Sequence, residues 1–157
     1  MKEKILEAFR DLGFKLEEEE GMGYCFNYEG LNLLYMYNEN DEEFLNIALP
    51  GIVEVEDDKM LQICALLEKI NSTLKYIKAY MLGNSVWLFY ERELFGEEDL
   101  MTVISRMILH LEAGLVFARK AMAEIEETMA NDSSADDTAE SAEEIVTEEI
   151  ADDEDNE

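Results

Sequence analysis

From Gly23 to Tyr37 the chain reads with a period of two. Tyr24, Phe26 and Tyr28 alternate with Cys25 and Asn27, and Leu31, Leu33, Tyr35 and Tyr37 alternate with Asn32, Leu34 and Met36. Such alternation belongs to strands whose two faces meet different surroundings. Glu29-Gly30 is the break between the runs. Read as a two-residue hairpin turn, it sets Tyr28 opposite Leu31, Phe26 opposite Leu33 and Tyr24 opposite Tyr35. Six large side chains then share one face, while Cys25, Asn27, Asn32, Leu34 and Met36 share the other. A slip of one residue would mix the two sets, so the register is strongly specified. Any fold for this chain must contain an antiparallel sheet with one heavily packed face.

The flanking segments supply what packs on it. Ile5, Leu6, Phe9 and Leu12 lie on one helical face over residues 2–12, with Gly13 placed to end that helix in the left-handed conformation. Phe14 and Leu16 start a period of two that leads through four glutamates to a turn at Gly21-Met22-Gly23. After a turn at Asn38–Asp41, Phe44 to Val55 reads as a strand broken or bulged at Pro50-Gly51. Asp57 or Asp58 is expected to cap a second helix whose stripe is Met60, Ile63, Cys64, Leu67 and Ile70, widened by Leu61 and Leu66. That helix is expected to end at Asn71-Ser72. Two strands, about Leu74–Met81 and Val86–Glu93, join at Gly83-Asn84. Both faces of this pair are bulky: Ile77, Ala79, Val86, Leu88 and Tyr90 on one, Tyr76, Tyr80, Trp87 and Phe89 on the other. A second layer over part of the latter face is therefore expected. Gly96-Glu97-Glu98-Asp99 opens a last helix to about Met129, with its stripe at Leu100, Ile104, Met107, Leu111, Leu115, Ala118, Met122 and Ile125. The predicted order is α-β-β-β(-β)-α-β-β-α, an α+β fold of antiparallel sheet and three helices.

Charge sets further limits. The 157 residues carry 39 acids and 12 bases, a formal −27. Residues 131–157 hold thirteen acids and no Lys or Arg, which leaves 26 acids against 12 bases, a net −14, in residues 1–130. The expected organisation is one α+β domain over 1–130 and a disordered acidic tail over 131–157, too poor in apolar groups to offset its ordering entropy. Both parts repel phosphate backbones and anionic headgroups, so neither nucleic acid nor membrane is an expected partner. The first residues lack the apolar stretch of a signal peptide, and Cys25 and Cys64 form no disulfide framework. A cytoplasmic chain with two reduced cysteines serving as small core hydrophobes is expected.

Catalytic signatures are missing from the sequence. His110 is the only histidine and sits beside the stripe of the last helix, where a polar residue at the rim of a packed face is the expectation. Gly21-Met22-Gly23 is followed by a strand, without the Lys and Ser or Thr of a phosphate loop. Asn38–Glu43 has oxygen ligands but no calcium-loop glycine or distal glutamate. The aromatic face of the first hairpin has no interleaved basic residues between Lys15 and Lys59, as base stacking would require. No catalytic, cofactor-binding or metal-binding residue is assigned.

The run Gly23-Tyr24-Cys25-Phe26-Asn27-Tyr28-Glu29-Gly30 through Leu45-Asn46-Ile47-Ala48-Leu49-Pro50 resembles the central strands of class I type III secretion chaperones. Ile63 to Val103, with a helix ending at Asn71, a hairpin and a long helix, is similar to the YbjN-like family, which shares that fold. The resemblance covers about residues 1–128. It implies a homodimerising, non-enzymatic fold that binds a partner. The expected function is a chaperone-like or adaptor module that binds an unidentified protein through apolar patches. Leu34, Met36, Leu61, Leu66, Leu109 and Val116, which lack an obvious place within one chain, are the expected protein-binding or dimer contacts. Two other readings stay open: a small ligand-binding or enzymatic domain with a pocket between sheet and long helix, and an acidic mimic that occupies basic proteins.

Overall fold

The computed structural model describes residues 1–133. Helix α1 (Lys2–Asp11) buries Ile5, Leu6, Ala8 and Phe9. Its end follows from local chemistry: the Gly13 amide donates to the Arg10 carbonyl at 2.9 Å and the Phe14 amide to the Phe9 carbonyl at 3.0 Å. Gly13, at φ +87°, takes the left-handed turn this motif needs. Phe14 folds back edge-on against Phe9, with ring centroids 6.1 Å apart, and directs the chain onto the sheet.

The sheet comprises β1 (Glu17–Glu19), β2 (Gly23–Tyr28), β3 (Leu31–Met36), β4 (Phe44–Glu54), β5 (Ile77–Leu82) and β6 (Ser85–Glu93). Their spatial order is β1-β2-β3-β4-β6-β5, and every neighbouring pair is antiparallel. The first hairpin has the register read from the sequence, with Tyr28 against Leu31, Phe26 against Leu33 and Tyr24 against Tyr35. Glu29 and Gly30 both take positive φ, at +48° and +83°, as a tight turn with the right twist demands. Pro50-Gly51 falls in the predicted irregularity, where the β4–β6 register shifts between Leu49 and Val53.

Helix α2 (Met60–Thr73) and helix α3 (Leu100–Ala151), followed here as far as Ser133, complete the fold. Phe26, Leu33, Tyr35, Leu45, Ile47, Leu49, Ile77, Ala79, Val86, Leu88 and Tyr90 point from the strands into one core with residues of all three helices. Phe9 is fully buried there, its ring centroid 4.9 Å from Phe26 and 5.5 Å from Tyr35. Burial of one such ring stabilises by roughly 1.5–3 kcal/mol. Between Leu100 and Ser133, α3 is long and apolar enough to cross a membrane on length and composition. Its apolar face instead packs on the sheet through Ile104, Met107, Ile108, Leu111, Leu115 and Ala118. Gly114 permits the close approach, since a methyl group there would lie 3.3 Å from Leu88 Cδ1.

Several expectations are corrected in detail. The core stripe of α2 is Ile63, Leu66 and Ile70, so the helix is rotated toward Leu66, and Cys64 is exposed instead of serving the core. Asp57 and Asp58 do not cap it through their side chains. They lie in a 3₁₀ turn, Asp57–Lys59, that feeds the helix. Strand β1 is the acidic Glu17–Glu19, and Phe14 and Leu16 precede it as partly buried flanks of the core. β5 starts at Ile77, because Tyr76 at φ +69° turns the chain before pairing can begin. The last helix passes the expected stop at Met129, and the Ser133 hydroxyl donates to the Met129 carbonyl at 2.9 Å. The expected disorder of 131–157 concerns, apart from its first three residues, positions outside those described.

Asn71, near the end of α2, is tied to the sheet. Its Nδ2 donates to the Ala79 carbonyl at 2.9 Å, and its Oδ1 accepts from the Ala79 amide at 2.8 Å. One side chain thus satisfies the outward amide and carbonyl of Ala79 in the middle of edge strand β5. At the far edge, β1 carries three exposed glutamates, which disfavour pairing with another strand.

Candidate functional site

With the helices gathered on one face, the other face of the sheet is open. Its residues follow from strand alternation and register. Glu17, Cys25, Leu34, Ala48, Phe89 and Lys78 form one lateral row across all six strands. Glu19, Gly23, Met36, Asn46 and Glu91 form the next. Trp87 and Tyr80 pair on β6 and β5 beyond Phe89. At strand spacings of about 4.8 Å, the apolar centre from Cys25 to Phe89 is about 14 Å wide.

This face has a cluster of its own. Leu34, Ala48 and Phe89 are buried, with Cys25, Met36 and Trp87 packed on them half-exposed. All six come from strands, so strand side chains alone provide the cover. The Tyr80 ring lies parallel over Phe89 at 4.1 Å, and Trp87 is nearly parallel to Phe89 at 6.0 Å. Trp87 Nε1 donates to Ser85 Oγ at 3.0 Å, which leaves the indole free to lie flat. Large side chains folded over a sheet without a second layer form an apolar surface open to a partner.

Polar groups frame it. Asn27 Nδ2 donates to Asn32 Oδ1 at 3.1 Å on one side. On the other, Asn46 Nδ2 donates to Glu91 Oε1 at 3.1 Å, and Lys78 is paired to the second Glu91 oxygen. That pairing raises the Lys78 pKa. Asn46 Oδ1 is buried and accepts nothing, at a cost of about 1–3 kcal/mol. Burial raises the Cys25 thiol pKa, and the Glu19 and Glu17 carboxylates push it the same way. The thiol therefore stays protonated and behaves as an apolar group of the face.

The residues singled out from the sequence fall into three places. Leu34 and Met36 belong to the open face, where Leu34 is a covered floor residue at 2% exposure and Met36 is accessible at the rim. Leu66 is 0% exposed in the helix-side core, so the view that it lacks a place within the chain is corrected. Leu34 also has such a place, beneath Cys25, Met36 and Trp87. Leu61, Leu109 and Val116 are 70%, 52% and 64% exposed on the helices. Leu109 and Val116, seven residues apart, share one side of α3, and Leu109 lines a groove of about 260 Å³ with Leu12, Phe14 and Tyr28. The six residues do not form a single site. Trp87, Phe89 and Tyr80 were legible as a bulky second face of the last hairpin. Their junction with Leu34 and Met36 was not, because it needs β6 beside β4.

His110 Nδ1 donates to the Arg106 carbonyl at 2.7 Å, and its ring stands edge-on to Tyr76 and Tyr90, which stack on one another. This is the rim position expected of it. Among the described residues, no three His, Cys, Asp or Glu converge as metal ligands.

By sequence the chain matches no protein-family model and no curated protein. In structure it is similar to YbjN from E. coli, described as "a putative transcription regulator", at TM-score 0.59 and 14% identity, over 76% of this chain and 92% of that one. It is also similar to an uncharacterized protein from Methanothermobacter thermautotrophicus, at TM-score 0.50 and 18% identity, over 81% of this chain and 97% of that one. The fold is thus YbjN-like, an antiparallel six-stranded sheet with three helices.

Proposed function

We propose that the chain is a non-enzymatic, chaperone-like adaptor that binds a segment of another polypeptide on the open face of its sheet. The observation that carries this reading is the Cys25–Leu34–Ala48–Phe89 row, overlaid by Trp87, Tyr80 and Met36, with no helix of the described chain against it. A width of about 14 Å suits two turns of helix or four to five residues of extended chain. The occupant is a segment with alternating or amphipathic apolar residues and basic flanks, because a surface of net charge −27 favours positive partners. The same acidity disfavours nucleic acid and anionic membranes. The resemblance to class I type III secretion chaperones supports a partner-binding role. It also supports pairing of two copies, for which Leu109, Val116 and Leu61 offer exposed apolar contacts away from the sheet. The adaptor works in the cytoplasm and uses no cofactor.

Display of random peptides against the full chain tests the reading. Enriched sequences should combine apolar and basic residues and lose at least about tenfold in affinity, roughly 1.4 kcal/mol, on Trp87→Asp while tolerating Leu61→Asp. Failure to enrich any peptide, or binding indifferent to Trp87→Asp, contradicts it.

A further inference from the structure

Charge is spread unevenly along α3 and the residues that follow it. Residues 100–123 hold Arg106, Arg119 and Lys120 against a single acid, Glu112, a net +2 in a chain of net −27. From residue 124 there are three acids up to 130 and thirteen more up to 157, with no Lys or Arg. The basic part also leaves apolar surface open. Leu109 and Val116 are 52% and 64% exposed, and Ala113 and Ala123 are exposed with them. Leu109, Ala113, Val116 and Ala123 are separated by four, three and seven residues, the seam of a helix that packs along another. Arg106 precedes Leu109 by three residues and Lys120 follows Val116 by four, so both flank that seam. Among the described residues neither Arg106 nor Arg119 has an ion-pair partner, and Lys120 reaches only Glu124, at 4.0 Å.

Resting on the pairing of two copies that is part of the proposed function, we infer that this face receives residues 143–150 of a second copy, in antiparallel order. Its occupant has to be apolar at helical spacing and acidic in between. Residues 143–150 read Glu-Glu-Ile-Val-Thr-Glu-Glu-Ile, and Ile145, Val146 and Ile150 are the only large apolar residues from 131 to 157. Val146 and Ile150 are four apart, the spacing of one helical face, and four glutamates accompany them. A basic peptide of the kind expected on the sheet does not suit this face, because Arg106, Arg119 and Lys120 repel it. A chain positive over 100–123 and negative beyond is complementary to its own copy only when the two run in opposite directions. The match of +2 against the −4 of residues 143–150 offsets part of the repulsion between two acidic chains. Within one chain, residues 134–142 would have to reverse direction and still cover about 26 Å of helix from Ser133 back to Val116. A two-fold axis avoids that reversal and repeats the contact. Repetition doubles the buried area, toward the about 800 Å² per partner of a stable interface.

The test uses the full chain with Val116 replaced by photoreactive benzoylphenylalanine, mixed with an equal amount of isotope-labelled unmodified chain. Irradiation should link position 116 to residues 143–150, and the linked peptides should include labelled ones from the second chain. Links to that segment that never cross between chains would show it folded back on its own helix and overturn the assignment to a second copy. Links to any other segment overturn it too. Ile145→Gln with Ile150→Gln, which changes no charge, should raise the dimer dissociation constant at least about tenfold in analytical ultracentrifugation, with an unchanged urea midpoint. Arg119→Glu with Lys120→Glu should also weaken the dimer, and Glu143→Lys with Glu144→Lys added to that chain should restore it. Asp57→Lys with Asp58→Lys, added instead, gives the same net charge and should not. Restoration by both pairs would reduce the effect to net charge and overturn the match between face and segment. A dimer indifferent to Ile145 and Ile150 overturns this inference and leaves the pairing of copies standing. A full chain that stays monomeric overturns the pairing as well, while peptide capture at Trp87 is decided separately by the display experiment.

Discussion

Asn71 does for β5 what a further strand would do, accepting one bond and donating the other to Ala79. Asn71→Ala leaves both backbone groups without that partner and is expected to cost about 1–3 kcal/mol. In urea this appears as a lower midpoint at an unchanged slope, and an unchanged midpoint would contradict the role. The sequence places Asn71 at a helix end, but its strand-edge role depends on a contact that forms only when α2 lies along β5. Leu66 and Leu61 make a sharper contrast. Leu66→Ala empties a buried site and should cost about 2–5 kcal/mol, whereas Leu61→Asp, on the solvent side of the same helix, should stay within about 0.5 kcal/mol. Glu98 links a residue to pH. The amide of Phe95 above all, with help from that of Gly96 and from Arg92, holds its carboxyl below the ordinary 4.5, against a smaller opposing effect of burial. A folded-state pKa lowered in this way supports the loop above pH 4.5 and is lost as pH falls through the folded value. The Phe95 and Gly96 amide resonances should therefore move together below that pH, and titration of either one alone would contradict the shared carboxylate.

At the scale of elements, the readable parts were those written in neighbouring residues. Gly13 after a helical face, Glu29-Gly30 between alternating runs and Asp99 before α3 each act over a few positions. The Asp99 carboxylate accepts from the Met101 amide at 3.2 Å and from the Thr102 hydroxyl at 2.7 Å, and so starts the last helix where the sequence placed it. The open face was only half legible. Its β2–β3 part followed from the first hairpin, and its β5–β6 part from the second. Pairing of β4 with β6 joins the halves across an intervening helix and strand, and no local pattern announces that. Gly23 is a comparable case: it was legible as part of a turn, yet its need to be glycine comes from β3. A Cβ there would lie 2.0 Å from the Tyr35 carbonyl oxygen, at φ +143°, whereas one at Gly30 would meet nothing within 4 Å. Gly23→Ala should accordingly destabilise the fold more than Gly30→Ala, by about 1–3 kcal/mol of added strain, and so melt at the lower temperature. Equal effects would place the constraint in the turn conformation alone.

For the whole molecule, charge and apolar surface pull in opposite directions. Two copies bring together 54 formal negative charges, twice the −27 of one chain. An interface of about 800 Å² per partner, at roughly 25 cal/mol per Å², can outweigh that repulsion once salt screens it. Light scattering should therefore report a dimer near 0.15 M salt that weakens as salt is removed. Val116→Asp or Leu109→Asp should give a folded monomer if α3 carries the contact, and a monomer at every salt concentration would exclude the pairing. Peptide capture is the more central claim, and the chain carries its own reporter for it. Trp87 is the only tryptophan and lies half-exposed on the open face beside Phe89. Emission from Trp87 during titration with an enriched peptide lacking tryptophan is the most direct measurement. The account predicts a saturable blue shift, as the indole loses water, with the same affinity that calorimetry gives. Calorimetric binding with unchanged Trp87 emission would contradict it, because the peptide would then be seated elsewhere.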